Sequence, residues 1–229
     1  MKCLCYNLKR TVFLPKGRDL MSEKWIYDRS RTVCFSGHRQ EKLPDKGNTS
    51  SLKMKVILSM LYYEIYKSIE DGYDTFIVGG SRGIDLMAAE FVYQFIHQGK
   101  NIRLIVAMPH PDFGSSFKGS DLYMRGNAIA EAELVVNVSE KYFEGCYSKR
   151  NQFMVNHSSR LIAVVSDWRS GTGQTIRYAQ SAGIDTRIIN ADKISQMADK
   201  PDDDVEITEE KTAVKNLIKL YYKDKKDEK

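Results

Sequence analysis

The 229-residue sequence predicts an α/β fold, a three-layer α/β/α sandwich with a mostly parallel sheet. Three observations predict it. From Arg31 onward, short β-branched or apolar runs alternate with longer stretches whose apolar residues recur at spacings of three and four. Several of the short runs are apolar throughout, as strands covered by helices on both faces must be. Three of the long stretches end at Asp71-Gly72, Gln98-Gly99 and Ala182-Gly183, where glycine serves the left-handed turn that stops a helix.

The predicted strands are Thr32 to Phe35, Thr75 to Val78, Arg103 to Met108, Leu134 to Asn137, Leu161 to Val165 and Thr186 to Ile189. Between them fall helices at Ser51 to Glu70, Ile84 to Gln98, Gly119 to Glu131, Ser148 to Asn156 and Gly173 to Ala182, joined by right-handed crossovers. Residues 1–20 have no regular period and read either as a disordered extension or as residues ahead of an alternative start at Met21. Residues 21–195 make the domain. Residues 196–229 hold an acidic linker from Asp202 to Glu210, a helical spacing over Ala213 to Tyr222 and a charged tail.

Composition narrows the function classes. With 42% hydrophobic and 28% charged residues, the chain reads as an ordinary globular protein. Its longest apolar blocks fall far short of the roughly 20 residues that cross a bilayer, so no membrane partner is expected. Pro15, Lys16, Gly17 and Arg18 interrupt the place where a signal peptide needs its apolar run, which points to a cytoplasmic protein. Of the net charge of +5, residues 1–20 supply +4. The nearly neutral remainder disfavours nucleic acid as a partner without excluding a local positive groove. Cys3, Cys5, Cys34 and Cys146 match neither a zinc pattern nor a disulfide framework, and His97, His110 and His157 are scattered. No metal or cofactor is assigned.

Ligands of a parallel sheet gather beyond the carboxyl ends of its strands, where helix N-termini point free amides outward. Three loops at that edge have unusual residues. After the first strand comes Phe35-Ser36-Gly37-His38-Arg39, in which Ser36 can donate a hydroxyl, Gly37 permits a tight turn or close ligand approach, Arg39 offers a planar fork to a phosphate and His38 reads equally well as a structural hydrogen-bonding residue. After the second comes Gly79-Gly80-Ser81-Arg82-Gly83-Ile84-Asp85, a glycine-rich helix start suited to an anion, with Arg82 adding charge and Asp85 reading as a first-turn cap. After the fifth comes Ser170-Gly171-Thr172-Gly173-Gln174-Thr175, a second such start rich in hydroxyls. A Gly-Lys-Ser/Thr ending is missing, which disfavours a Walker-type NTPase, and the acidic residue that would hold the ribose of NAD is missing too. Phe113 and Phe117 are candidates to flank a base or to anchor their loop. Tyr62, Tyr63 and Tyr66, at helical spacing, read as packing or interface residues, leaving a homodimer open.

Taken in order, Gly37-His38-Arg39, Gly79-Gly80-Ser81-Arg82-Gly83-Ile84-Asp85, Arg150-Asn151-Gln152-Phe153-Met154-Val155 and Ser170-Gly171-Thr172-Gly173-Gln174-Thr175 resemble the YpsA-like proteins of the SLOG superfamily. That superfamily also holds the DprA/Smf DNA-processing proteins and the LOG phosphoribohydrolases. The resemblance spans about Thr32 to Asn190 and implies a Rossmann-like fold, a nucleotide or nucleotide-derived ligand, and a site-lining role for Arg150 and Asn151. Where LOG enzymes place a catalytic Glu, this chain has Arg177, and the LOG Thr is Gln174. The reading that follows is a nucleotide-binding sensor or regulator, with a phosphate held by the glycine loops, Arg39 and Arg150. The alternatives are an N-glycosidic hydrolase using Asp85 or another carboxylate, and a single-stranded DNA binder. No residue is assigned as catalytic.

Overall fold

The computed structural model describes residues 10–13, 26–199, 214–216, 218 and 219. Its elements follow the alternation read in the sequence. They are β1 (Arg10–Phe13), β2 (Thr32–Gly37), α1 (Leu52–Glu70), β3 (Thr75–Val78), α2 (Ile84–His97), β4 (Arg103–Met108), α3 (Gly119–Glu131), β5 (Leu134–Asn137), α4 (Cys146–Asn156), β6 (Arg160–Val165), α5 (Gly171–Ser181), β7 (Asp185–Asn190) and α6 (Ala191–Ala198). Every strand pairs in parallel, in the order β1-β5-β4-β3-β2-β6-β7. The architecture is the α/β, Rossmann-like sandwich that the sequence predicts.

Side chains alternate between the two faces of each strand, and the core divides accordingly. Val33, Phe35, Phe76, Val78, Leu104, Val106, Ile162 and Val164 point to the layer of α1, α2, α3 and α6. Their neighbours Cys34, Ile77, Ile105, Ala107, Val136, Leu161, Ala163 and Val165 point to α4 and α5. Because both faces are covered, both alternating sets are apolar, which is why these strands read as continuous apolar runs. Tyr62 stacks on Phe95 with ring centroids 4.7 Å apart and meets Phe91 edge-on, so it packs the core, whereas Tyr63 and Tyr66 are exposed.

Two elements are absent from the sequence reading. Arg10–Phe13, inside the stretch read as an extension, lies beside β5 at the sheet edge. The eight-residue α6 begins directly after β7, with the Asn190 side chain accepting from the Lys193 amide and Ile194 buried. Cys34 and Cys146 are buried free thiols, and burial pushes Cys34 up to about 12, far from the thiolate form that reacts. Cys3 and Cys5 lie outside the described residues. So does most of the predicted C-terminal helix, of which Val214 and Ile218 are helical and pack against the core. Among the described residues no helix is long and apolar enough to cross a membrane.

At the amino-terminal edge of the sheet, opposite the loops of interest, a buried arginine fastens the layers. Arg160 donates from Nη1 to Asp71 (2.8 Å) and Ser68 Oγ (3.1 Å), donates from Nε to Asp185 (2.8 Å), and lies 4.4 Å from the centroid of the Tyr73 ring. Methionine would fill the space but remove the buried cation, leaving Asp71 only Lys67 and Asp185 only Arg187. Arg160→Met is expected to cost about 1.5–3 kcal/mol, the range for hydrogen bonds to charged groups, in urea unfolding. Ligand binding at the far edge should be unchanged in the same protein.

Candidate functional site

From β2 the chain steps outward through β3 and β4 to β5, then returns to lay β6 on the other side of β2. Loops leaving β2 and β6 therefore turn toward opposite faces, and a crevice opens between them at the carboxyl edge. The crevice is a cavity of about 400 Å³. Ser36, Gly37, His38 and Arg39 line it from the first loop, Ser81 and Asp85 from the second, Arg150 and Asn151 from α4, and Ser170, Gly171 and Thr172 from the third. The structure thus brings all three predicted loops to one place.

Within the first loop the three residues have different tasks. A Cβ on Gly37 would lie 2.4 Å from Cβ of Ile84, so glycine here lets the start of α2 press on β2 rather than admitting a ligand. His38 is buried and its Nε2 accepts from the Asp167 amide at 3.0 Å, tying the loop after β2 to the loop after β6. Burial, with Lys42 nearby, holds its pKa below the usual imidazole value. Arg39 is exposed, and among the described residues its guanidinium has no ion-pair partner.

The second loop departs from its predicted role. A Cβ on Gly79 would lie 1.9 Å from Nη1 of Arg150, because that guanidinium already fills the space and donates to the Gly79 carbonyl. Arg150 Nη2 donates to Ser81 Oγ at 3.1 Å, and Nη1 lies 3.8 Å from Asp85 Oδ2. Asp85 in turn accepts from the Ser81 amide at 3.2 Å. Burial pushes the Asp85 carboxyl up and the Arg150 guanidinium down, each opposing the other's shift. The anion in this cup is therefore Asp85 itself, which corrects the expectation that Gly79, Gly80 and Gly83 cradle a phosphate. It also gives Asp85 the setting of a buried structural pair rather than that of a free general acid. Gly80, with φ +66°, turns the loop above Val106. Gly83 combines φ +82° with a Cβ position 2.4 Å from the His38 carbonyl oxygen, so two independent constraints require glycine there. Arg82 is also spoken for: Nη2 pairs with Glu41 at 2.6 Å and Nη1 lies 3.8 Å from Asp121.

The third loop is open. Ser170 caps α5, its Oγ accepting from the Gly173 amide at 3.3 Å, while the Gly171 and Thr172 amides have no partner among the described residues. Nothing lies within 4 Å of a Cβ built on Gly171. Thr172 is buried and lines the cleft, with no hydrogen bond from its hydroxyl among the described residues. Gly173, by contrast, is required by packing, since its Cβ would lie 2.0 Å from the Trp168 carbonyl oxygen. Thr175 donates to the Gly171 carbonyl (2.9 Å) and accepts from Asn151 Nδ2 (2.9 Å), so it positions the turn from behind. Gln174 is exposed and does not line the cleft, a correction that follows from α5 beginning two residues earlier than predicted.

The sequence reading missed three residues of the cleft, Glu41, Lys42 and Tyr147. Lys42 pairs with Asp167 at 3.1 Å, so of the cations lining this cleft only Arg39 lacks a carboxylate among the described residues. The His38 bridge has a pH consequence. Above about pH 6.5 the ring is neutral in both states and its contribution is complete. As pH falls the unfolded chain takes up the proton first, so the contribution is lost down to the lower folded pKa. Wild type should therefore lose stability between pH 7 and 5 more steeply than His38→Gln, by up to about 1.4 kcal/mol per pH unit. His157, also held low by burial, adds to the slope in both proteins. Equal slopes in urea titrations of the two proteins would remove the bridge from the account.

Comparison with known proteins places this geometry in a family. The family model for YpsA, described as the YspA SLOG family, matches residues 33–194. A UPF0398 protein of Bacillus cereus strain B4264 is 23% identical over 125 residues, covering 54% of this chain and 68% of its own. The SPbeta prophage-derived protein YoqJ of Bacillus subtilis strain 168 is 26% identical over 145 residues, covering 58% and 84%. Among solved structures, DNA processing protein A from Helicobacter pylori, determined for its single-stranded DNA binding mode, covers 82% of this chain and 80% of its own at 18% identity and a TM-score of 0.48. DNA processing protein A from Streptococcus pneumoniae covers 83% and 56% at 17% identity and a TM-score of 0.47. With the matched residues spanning β2 to the first turn of α6, and all three loops inside them, the chain belongs to the YpsA family of SLOG proteins.

Proposed function

We propose that the protein binds a nucleotide or nucleotide-derived ligand and acts as a sensor or regulator, with the ligand's phosphate in the cleft between β2 and β6. One observation supports this above the rest: Arg39, in no ion pair among the described residues, shares the cavity with the uncapped amides of Gly171 and Thr172. Amides at a helix N-terminus favour an anion through their dipoles, and a planar guanidinium supplies the opposing charge in a fork that fits phosphate oxygens. The Thr172 hydroxyl adds a third donor. Arg150 contributes by holding the walls, not by meeting the phosphate.

Catalysis forms no part of this reading. General acid–base chemistry needs a carboxylate within reach and free to exchange a proton, and Asp85 is bonded to Ser81 and paired with Arg150.

The test is a thermal-shift screen at fixed salt with AMP, ADP, ATP, GTP, NAD, ADP-ribose and cyclic dinucleotides on wild type, Arg39→Ala and Arg82→Ala. A ligand that binds only the folded state raises the midpoint in proportion to the logarithm of its concentration over Kd. Arg39→Ala should weaken binding about 10- to 150-fold, the value of one charged hydrogen bond. Arg82→Ala should lower the ligand-free midpoint and alter affinity far less. No shift with any compound, or equal shifts in wild type and Arg39→Ala, would overturn the reading.

A further inference from the structure

Beside the cleft, and sharing Arg39, Ser81 and Tyr147 with it, lies a second cavity of about 580 Å³. The loop after β4 builds one side, through His110, Phe113 and Phe117, and Tyr142 ahead of α4 with Tyr147 in its first turn builds another. The rings meet edge to face. Centroid separations are 5.6 Å for His110–Tyr142, 5.7 Å for Phe113–Tyr147 and 5.7 Å for Phe113–Phe117, with interplanar angles of 82°, 73° and 75°. Edge-to-face contacts hold these rings at steep angles to one another, and the exposed Tyr142 and half-buried Phe117 keep ring surface on the cavity.

Arg125 sets the loop in place. Its Nη2 donates to the Phe113 carbonyl at 2.7 Å and to Met108 Sδ at 3.2 Å. Gly114, with φ +83°, leaves room for that side chain. Inside this aromatic box His110 is 7% exposed, and its buried Nδ1 has no hydrogen-bond partner among the described residues. Such an atom costs free energy unless something pairs with it.

Charge decides which planar or cationic group suits the box. A cage for a quaternary ammonium has aromatic walls without competing cations. Here Arg39, Arg82 and Lys118 line the cavity together with Asp112 and Asp121, and Arg82, paired with Glu41 and Asp121, lies 5.9 Å from the centroid of the Phe117 ring. Three cations against two carboxylates leave a cationic excess, which favours the uncharged ring of an anionic ligand over a cationic one.

We propose that this second cavity is the base subsite: it takes the heterocyclic base of a nucleotide by stacking on the Phe117 and Tyr142 walls, with His110 meeting the base edge. The inference rests on the phosphate-cleft reading above and names the part of the ligand that reading leaves open. Continuity of the two cavities through Arg39, Ser81 and Tyr147 lets one molecule occupy both.

The test compares AMP with ribose 5-phosphate by titration calorimetry in wild type, Arg39→Ala, Phe117→Leu, Tyr142→Leu and His110→Phe. Tyr142 is 62% exposed, so its replacement leaves the fold intact and keeps the result readable even where a buried variant unfolds. AMP should bind about 5- to 150-fold tighter than ribose 5-phosphate, the range for one base–aromatic stack. Phe117→Leu and Tyr142→Leu should each shrink that ratio while leaving the Kd of ribose 5-phosphate unchanged. His110→Phe keeps a ring and removes the nitrogens, and should also reduce the ratio. Arg39→Ala should weaken both ligands together. Equal affinities for the two ligands, or a ratio that neither aromatic variant changes, would overturn the base subsite and leave the phosphate cleft standing. Failure of both ligands to bind would overturn the cleft, and the subsite with it.

Discussion

A guanidinium buried among backbone carbonyls is costly to desolvate, and the Arg150 side chain is 5% exposed. Its hydrogen bonds explain why the fold retains it. From α4, on one face of the sheet, it reaches the Gly79 carbonyl and Ser81 hydroxyl of the loop that leads into α2, on the other face, and it lies beside Asp85 in the first turn of that helix. Its Nε donates to Asn151 Oδ1, Asn151 donates to Thr175, and Thr175 donates to the Gly171 carbonyl at the start of α5. One buried cation thus fixes the two helix starts that border the cleft relative to each other. Removing it would leave the Asp85 carboxylate buried without its counter-charge, a cost of about 3–5 kcal/mol in comparable pairs.

Strand order supplies the other half of the constraint. The crevice exists because the chain reverses direction across the sheet between β2 and β6, and His38 closes its floor by joining the loops of those two strands. With the floor pinned by a neutral imidazole and the wall pinned by Arg150, little in the cleft is left to be ordered by a ligand. Preorganisation of this kind lowers the entropic cost of binding.

The fold was legible because its signals are local. Continuous apolar runs such as Leu161 to Val165 announce strands covered on both faces, and Asp71-Gly72 or Gln98-Gly99 announces a helix end. β1 was not legible, since Arg10–Phe13 has four residues and gains its place only by pairing with β5. Nor was α6, where only Ala191 and Ile194 are buried and too few apolar positions repeat to show a period. For the cleft, glycines located the loops correctly but did not say what fills the space beside them. At Gly79 it is Arg150, at Gly37 it is Ile84, and at Gly173 it is the Trp168 carbonyl. The same holds for charge. Arg82 sits in the more conspicuous motif, yet Glu41 and Asp121 reach it from distant parts of the chain, and no local pattern distinguishes it from Arg39.

The two glycine-rich helix starts make the point physically. Both present amides of a helix N-terminus to the same cleft, and in a bare peptide both would attract an anion equally. At α2 the anion is supplied from within, since Asp85 accepts the Ser81 amide and is balanced by Arg150, so an incoming phosphate would meet a carboxylate already in place. At α5 the corresponding first-turn positions are Gly171 and Thr172, neither of which can supply charge, and the cation Arg39, in no ion pair among the described residues, lines the same cavity. A protein that fills one helix start with its own carboxylate and leaves the neighbouring one open restricts the proposed phosphate to the start of α5. Arg39 lines both that cleft and the aromatic cavity beside it.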